Sequence, residues 1–302
     1  MLDIIIRAGC FVAIIVLGYV LRRIGVFKQE DFTVLSKIVL KITLPAAIIV
    51  SFAGKQIDVA MISIILIGLG GGLIYMFLGY VVNRRRGKEW QAFGTLNLSG
   101  YNIGNFTMPF VQSFLGPMGV ITTSVFDVGN AFVCLGGAYG VSKTVKGTEK
   151  FSALQILKTL TKSVAFDCYL VMIIMSLAEF KMPTPVLSLA EIIANANAFV
   201  AMLMLGVGFK LSGDKKQTAT IVKYLLIRYS IAAMLAIGCY SLLPFSLEVR
   251  QALVILVFSP IASAVPAFTG EIDGDVGLSS AINSLSIICS IVIMMILLLI
   301  ML

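Results

Sequence analysis

The chain has 302 residues, 59% of them hydrophobic and 13% charged, whereas a soluble globular protein is about 45–50% apolar and about 25% charged; with a mean hydropathy of +1.02, this is the composition of a polytopic membrane protein. The net charge of +8 sits in the gaps between apolar runs, as in cytoplasmic loops and not as in a nucleic-acid-binding face. Histidine is absent, which excludes a Ser-His-Asp or Cys-His pair, a histidine-ligated metal and a histidine proton relay. The five cysteines, Cys10, Cys134, Cys168, Cys239 and Cys289, stand singly in apolar spans and read as buried packing residues, without ligand spacing. No cofactor is implied.

Apolar runs of about 20 residues, enough to cross a bilayer, predict an all-α protein of ten transmembrane helices at 4–22, 33–53, 59–82, 91–111, 118–141, 164–180, 187–209, 221–243, 249–269 and 276–301. The N-terminus lacks a basic n-region and a small-residue cleavage site, so the first run reads as a helix and not as a signal peptide. The first gap carries Arg22, Arg23 and Lys28, and the third carries Arg84, Arg85, Arg86 and Lys88. The fifth holds Lys143, Lys146, Lys150, Lys158 and Lys162, and the seventh Lys210, Lys215, Lys216 and Lys223. The even gaps hold only Lys55, Lys181 and, at a span edge, Arg250. The positive-inside rule makes the odd gaps cytoplasmic and puts both termini outside; the acidic ninth gap, GEIDGD, carries little weight in that rule.

The longest gap, a cytoplasmic connection at 143–163, divides the chain into a five-span set at 1–142 and another at 164–302. Because five is odd, related halves must be inverted, a common architecture of secondary transporters. Spans four and nine share an oddity: NIGNFTMP (102–109) and SPIASAVP (259–266) each crowd small and polar residues before a proline. An offset of about 157 pairs Pro109 with Pro266 and Asn102 with Ser259, and sets Asp127 beside Asn283 and Ser284. Matched interruptions of this kind point to a midplane binding site. Proline removes an amide donor and frees the carbonyl four residues back, here those of Asn105 and Ala262. Non-helical backbone at membrane depth must face protein or a wet cavity. Half-helices starting at the two prolines would aim amide donors into one space, which suits a carboxylate. Asn102, Asn105, Thr107, Ser259 and Ser263 would add neutral hydrogen-bonding groups, unless they only bond neighbouring helices.

Asp127 lies about nine residues into span five, roughly 14 Å deep at 1.5 Å per residue. An acid there is a functional candidate: a protonation site, or, with Asn130 one turn on, part of an oxygen cage for sodium. Its bland role is to pair with a buried cation such as Lys41 or Arg228. Lys37 can snorkel to the cytoplasmic edge, whereas Lys41, deeper on the same face, could attract an anion. Asp167, Glu179, Glu191 and Arg7 fall near span ends and read as solvated. The GxxxG of Gly68 and Gly72 reads as close helix packing, since no phosphate-loop lysine follows it.

LSKIVLKITLPAAII (35–49), NIGNFTMP and the LG that follows (102–116), NANAFVAMLMLGVGF (195–209) and VPAFTGEI (265–272) together resemble the auxin efflux carrier family, which includes plant PIN-FORMED proteins and bacterial malate and malonate permeases. The resemblance implies two inverted five-helix repeats similar to those of sodium/proton antiporters and bile-acid transporters. Spans 1, 2, 6 and 7 would form a scaffold, and spans 3–5 and 8–10 a transport domain in which broken helices 4 and 9 cross. Pro109 and Pro266 match the crossover prolines, and Asn102 matches an asparagine that contacts the substrate carboxylate in the plant carriers. The fifth gap is far shorter than the regulatory loop of many plant members.

The expected function is thus a plasma-membrane carrier, not an enzyme, that moves a small organic anion by elevator-type alternating access. Its substrate would bind at Asn102, Asn105, Thr107, Pro109, Ser259, Ser263 and Pro266, with ion coupling by Na+ or H+ at Asp127 and Asn130. Its partners would be a small carboxylate and the lipid bilayer, not nucleic acid, and a homodimer through the scaffold helices stays open. The rival reading is a sodium/proton exchanger or ion channel with no organic substrate.

Overall fold

The computed structural model describes residues 2–209 and 217–301; Lys210, Lys215 and Lys216, assigned above to the seventh gap, lie outside the described residues. Regular structure among the described residues is entirely helical. In chain order it comprises α1 (Leu2–Arg23), α2 (Asp31–Ile38), α3 (Leu44–Phe52), α4 (Ile64–Val82), α5 (Lys88–Leu98), α6 (Met108–Phe114), α7 (Gly116–Phe132) and α8 (Ala138–Lys146). These are followed by α9 (Ala153–Leu160), α10 (Val164–Leu177), α11 (Thr184–Ala194), α12 (Asn197–Gly208), α13 (Thr218–Leu242), α14 (Leu247–Val257), α15 (Val265–Glu271) and α16 (Val276–Met301). Among the described residues, seven continuous helical segments are long and apolar enough to cross a membrane, or eight if α9 and α10, bent by 80°, make one span. The helix α9 lies inside the connection expected at 143–163, started by the Ser152 hydroxyl accepting from the Gln155 amide.

The expected spans 91–111 and 249–269 are each split into pieces too short to cross. Between α5 and α6 the chain unwinds over residues 99–102 and resumes in a π turn, Ile103–Thr107. Between α14 and α15 it is non-helical from 258 to 264. A second π turn, Val39–Thr43, links α2 to α3. These two π turns end two residues before a proline, Pro45 or Pro109, whereas a third, Val133–Gly137 between α7 and α8, precedes none. The looser turn accommodates the ring and its missing donor, so the helix continues where an α-turn would clash.

The surface is that of a molecule dissolved in lipid. Leu66, Phe77, Leu226, Ile237 and Ile296 are more than half exposed, whereas Asn83, Asn97, Asn102, Asn130 and Asn197 are buried. Water would penalise so wide an apolar exterior, but lipid does not, and helix association there rests on close packing and interhelical hydrogen bonds. Glycine supplies the close packing: a Cβ at Gly206 of α12 would overlap the Ile15 carbonyl of α1, and one at Gly68 of α4 the Phe126 carbonyl of α7. Gly72 meets the Val133 side chain, so the GxxxG lies in a helix contact, as its sequence suggests. Asp167, Glu179, Glu191 and Arg7 are exposed. The cysteines depart from expectation: only Cys239 is buried, and Cys10 is exposed.

Candidate functional site

The two interruptions touch. The Asn102 amide donates to the Pro260 carbonyl at 2.9 Å. Thr107 Oγ1 donates to Ser259 Oγ at 2.7 Å, and Ser259 Oγ donates onward to the Leu256 carbonyl at 2.6 Å. Asn105 Nδ2 donates to Ser263 Oγ at 3.0 Å. Residues 102, 105 and 107 of one break are thus stapled to residues 259, 260 and 263 of the other.

Each break is also held by the long helix that follows it. Asn130 of α7 accepts from the Tyr101 amide with Oδ1 and donates to the Tyr101 carbonyl with Nδ2, both at 3.0 Å. Asn283 of α16 donates to the carbonyls of Ile261 and Ala262 at 3.0 and 3.1 Å, and Ser286 Oγ accepts from the Ile261 amide at 3.1 Å. These bonds supply what unwound backbone needs at membrane depth. The Ala262 carbonyl, which Pro266 was expected to free, is satisfied in this way and by the Val265 amide at 3.1 Å.

A third element joins the two breaks. Arg228 of α13, 1% exposed, donates from Nη1 to the Leu98 carbonyl at 2.6 Å and from Nη2 to the carbonyls of Gly100, Ser259 and Pro260 at 2.8, 2.8 and 3.2 Å. It therefore reaches both breaks at the C-terminal ends of α5 and α14, where unpaired carbonyls concentrate negative charge. Its guanidinium carbon lies 4.7 Å from the Tyr75 ring centroid and 5.4 Å from that of Tyr101. Sequence reasoning considered Arg228 only as a counter-ion for Asp127, and the structure gives it a different task.

In front of the breaks opens a cavity of about 330 Å³ bordered by Asn102, Asn105, Ser263, Asp127, Asn130, Tyr169 and Ser36, with apolar walls from Phe32, Leu40 and Phe166. Asp127 is only half-buried there. Its Oδ1 accepts from Asn130 Nδ2 at 2.7 Å and its Oδ2 from the Tyr169 hydroxyl at 2.9 Å. Neither expected cation pairs with it: the ion pairs among the described residues are Lys143–Glu149 and Lys146–Asp273, and Lys41 is exposed away from the cavity. Asn130 turns its NH2 toward the carboxylate, because its oxygen is taken by the Tyr101 amide. A second cavity of about 180 Å³ is bordered by Asn102, Ser263, Pro266, Asn283 and Ser284. Asn102 and Ser263 thus line both cavities.

Asn102 is 4% exposed, and its Nδ2 has no hydrogen-bond partner. Buried amides are seldom left unsatisfied, and Asn102 is a residue that lines both cavities. The other expected residues divide by position. Asn105, Ser263, Asp127 and Asn130 border the larger cavity and Pro266 the smaller, while Thr107, Ser259 and Pro109 border neither. Thr107 and Ser259 are fully buried in the seam between the breaks. The first half-helix also differs from expectation: it resumes at Ile103, six residues before Pro109, because the π turn precedes the ring. Sequence reasoning passed over Tyr169, whose hydroxyl holds Asp127, since nothing in an apolar run distinguishes a tyrosine with a buried partner.

No curated protein sequence matches the chain at a significant level. A family model described as membrane transport protein matches residues 10–298, nearly the whole length. An interrupted, inward-facing polar site within an apolar helical body accords with that description, and the chain belongs to the auxin efflux carrier family of membrane transport proteins.

Proposed function

We propose that this family member is a secondary transporter of a small organic anion, a malate- or malonate-like or auxin-like carboxylate, and that the anion binds where the two interrupted segments meet. The observation that carries the reading is the unpartnered, buried amide of Asn102 at the edge of two cavities. A donor left free in a site otherwise closed by hydrogen bonds suits an acceptor brought from outside. The contact between segments about 157 residues apart supports ten spans in two inverted repeats, 1–142 and 164–302, joined through 143–163. On this reading the interrupted segments are spans four and nine, spans 1, 2, 6 and 7 are the scaffold, and the rest move as an elevator in the plasma membrane, with both termini outside. The scaffold helices are the natural surface for a homodimer.

Asp127 favours a second ingredient. As a carboxylate open to the cavity it is where a coupling H+ or Na+ would act, and if no organic acid is carried the same group would serve an exchanger. Uptake of labelled carboxylates into proteoliposomes under imposed sodium, proton and voltage gradients separates these cases. Loss of uptake in Asn102→Ala, with the variant folded, is the expected result. Normal rates in both Asn102→Ala and Pro109→Ala would place the site elsewhere.

A further inference from the structure

The larger cavity has an unbalanced charge. Among the described residues, Asp127 is the one ionisable carboxylate on its wall, and no lysine or arginine borders it. Arg228 does not line the cavity: it is 1% exposed, with its Nη atoms committed to four carbonyls of the breaks. A dianion entering this space would face a negative group in a medium where like charges interact strongly. A ligand that brings a positive charge would meet it favourably.

The available hydrogen-bonding sites describe that ligand further. Each Asp127 oxygen accepts one hydrogen bond, from Asn130 or Tyr169, and a carboxylate oxygen can accept another. Asn102 lines the same cavity, and its Nδ2 has no hydrogen-bond partner. Asn130 Nδ2 donates to Asp127 Oδ1 at 2.7 Å and to the carbonyl of Tyr101, the residue before Asn102, at 3.0 Å, so one side chain links the carboxylate to the backbone of the first break. Asp127 and Asn102 both line this space, whose apolar walls come from Phe32, Leu40 and Phe166. Metal coordination is poorly supplied by comparison. Sodium would need several oxygens, but the Asn130 oxygen is occupied, and the described residues contain no cluster of three or more acidic or cysteine groups.

We propose that the substrate is a zwitterion, an amino acid with an apolar side chain, whose carboxylate is received by Asn102 and whose ammonium is received by Asp127. The proposal rests on the carrier reading above for the site and for Asn102 as the carboxylate receptor, and puts a zwitterionic carboxylate in place of the anion named there. The ammonium supplies within the ligand the positive charge that a coupling cation would otherwise bring.

The test uses the purified full-length protein in detergent and reads ligand-induced shifts in melting temperature, which report affinity for the folded state. The probes are the apolar amino acids, among them leucine, together with 4-methylpentanoate, which lacks the amine, 3-methylbutylamine, which lacks the acid, and malate. Each is measured in sodium and in choline salts. At least one apolar amino acid should bind ten-fold or more tighter than either of its deletion analogues and than malate, in both salts. Asp127→Asn should abolish the preference for the amino acid over the matching acid while leaving the unliganded melting temperature near wild type.

Absence of a shift with every apolar amino acid overturns the proposal. So does malate or 4-methylpentanoate binding as tightly as the amino acid, or tight binding of acids in sodium alone, which would identify the positive charge as an ion. The two levels fail separately. If Asn102→Ala weakens binding of acids but Asp127→Asn leaves the amine preference intact, the zwitterion proposal falls and the carrier reading stands. If Asn102→Ala changes no ligand's affinity, the site itself is wrong.

Discussion

Replacing Arg228 with methionine should loosen both interruptions at once. The guanidinium serves the carbonyls of Leu98, Gly100, Ser259 and Pro260. Only the last has a second donor, the Asn102 amide at 2.9 Å. Methionine fills similar space but donates nothing, so three acceptors are stranded at a cost of about 1–3 kcal/mol each. Even at the low end the loss is about 3 kcal/mol, corresponding to a fall in melting temperature of roughly 6–12 °C. Arg228→Lys keeps the charge but not the fork that spans two breaks, so it should fall between methionine and wild type. Thermal unfolding in detergent, followed by tryptophan fluorescence of the single Trp90 or by size-exclusion after heating, reads the effect. Uptake in proteoliposomes should fall with it, because the seam that positions Asn102 would no longer be fixed. If Arg228→Met melted within about 2 °C of wild type and transported normally, the clamp would have no energetic consequence, and the reasoning would fail.

Asn102→Ala should behave oppositely: its Nδ2 has no partner, so truncation relieves a desolvation cost of about 1–3 kcal/mol and should leave the melting temperature unchanged or higher, while uptake falls at least about ten-fold, as for a lost interaction of about 1.4 kcal/mol. Thr107→Val removes the bond to Ser259 inside the seam and should cost about 1 kcal/mol, with a smaller effect on uptake than Asn102→Ala. Gly206→Ala would drive a methyl into the Ile15 carbonyl of α1 and should cost about 1–3 kcal/mol, read as a lowered melting temperature; a neutral result would mean that α1 and α12 pack less closely than described.

The long apolar helices were legible because membrane span length is set by bilayer thickness, which a run such as IILIGLGGGLIYMFLGYVV displays directly. The interruptions were legible because Pro109 and Pro266 each follow a group of polar residues, and the shared spacing singled them out. Where the first half-helix resumes was not legible. A π turn shifts the backbone bond from the fourth to the fifth residue back, and Ile103–Thr107 has no composition that announces it. The role of Arg228 was hidden for another reason: its partners are carbonyls, and any residue supplies a carbonyl. Only the three-dimensional path of residues 98–100 and 259–260 past α13 decides that they meet it. The helix α9 could have been found, since Ser152 precedes ALQILKTL as an N-cap before an apolar repeat.

The interruptions divide their polar groups between holding the break open and leaving something free to bind. An unwound segment at membrane depth is tolerated when protein serves its backbone, and here Asn130, Asn283, Ser286 and Arg228 do so from three separate helices. Thr107 and Ser259, which might have reached a ligand, satisfy each other instead. Two side-chain groups within the first break are left without partners, the Tyr101 hydroxyl and the Asn102 amide. The Tyr101 hydroxyl is pressed against Gly71 of α4, on the packed side of the break. Of the two residues, Asn102 is the one that lines both cavities. A break needed only for a helix bend would gain stability by pairing that amide, and a serine or threonine within reach could have done so. Leaving it free costs folding energy and is repaid only when something else occupies it.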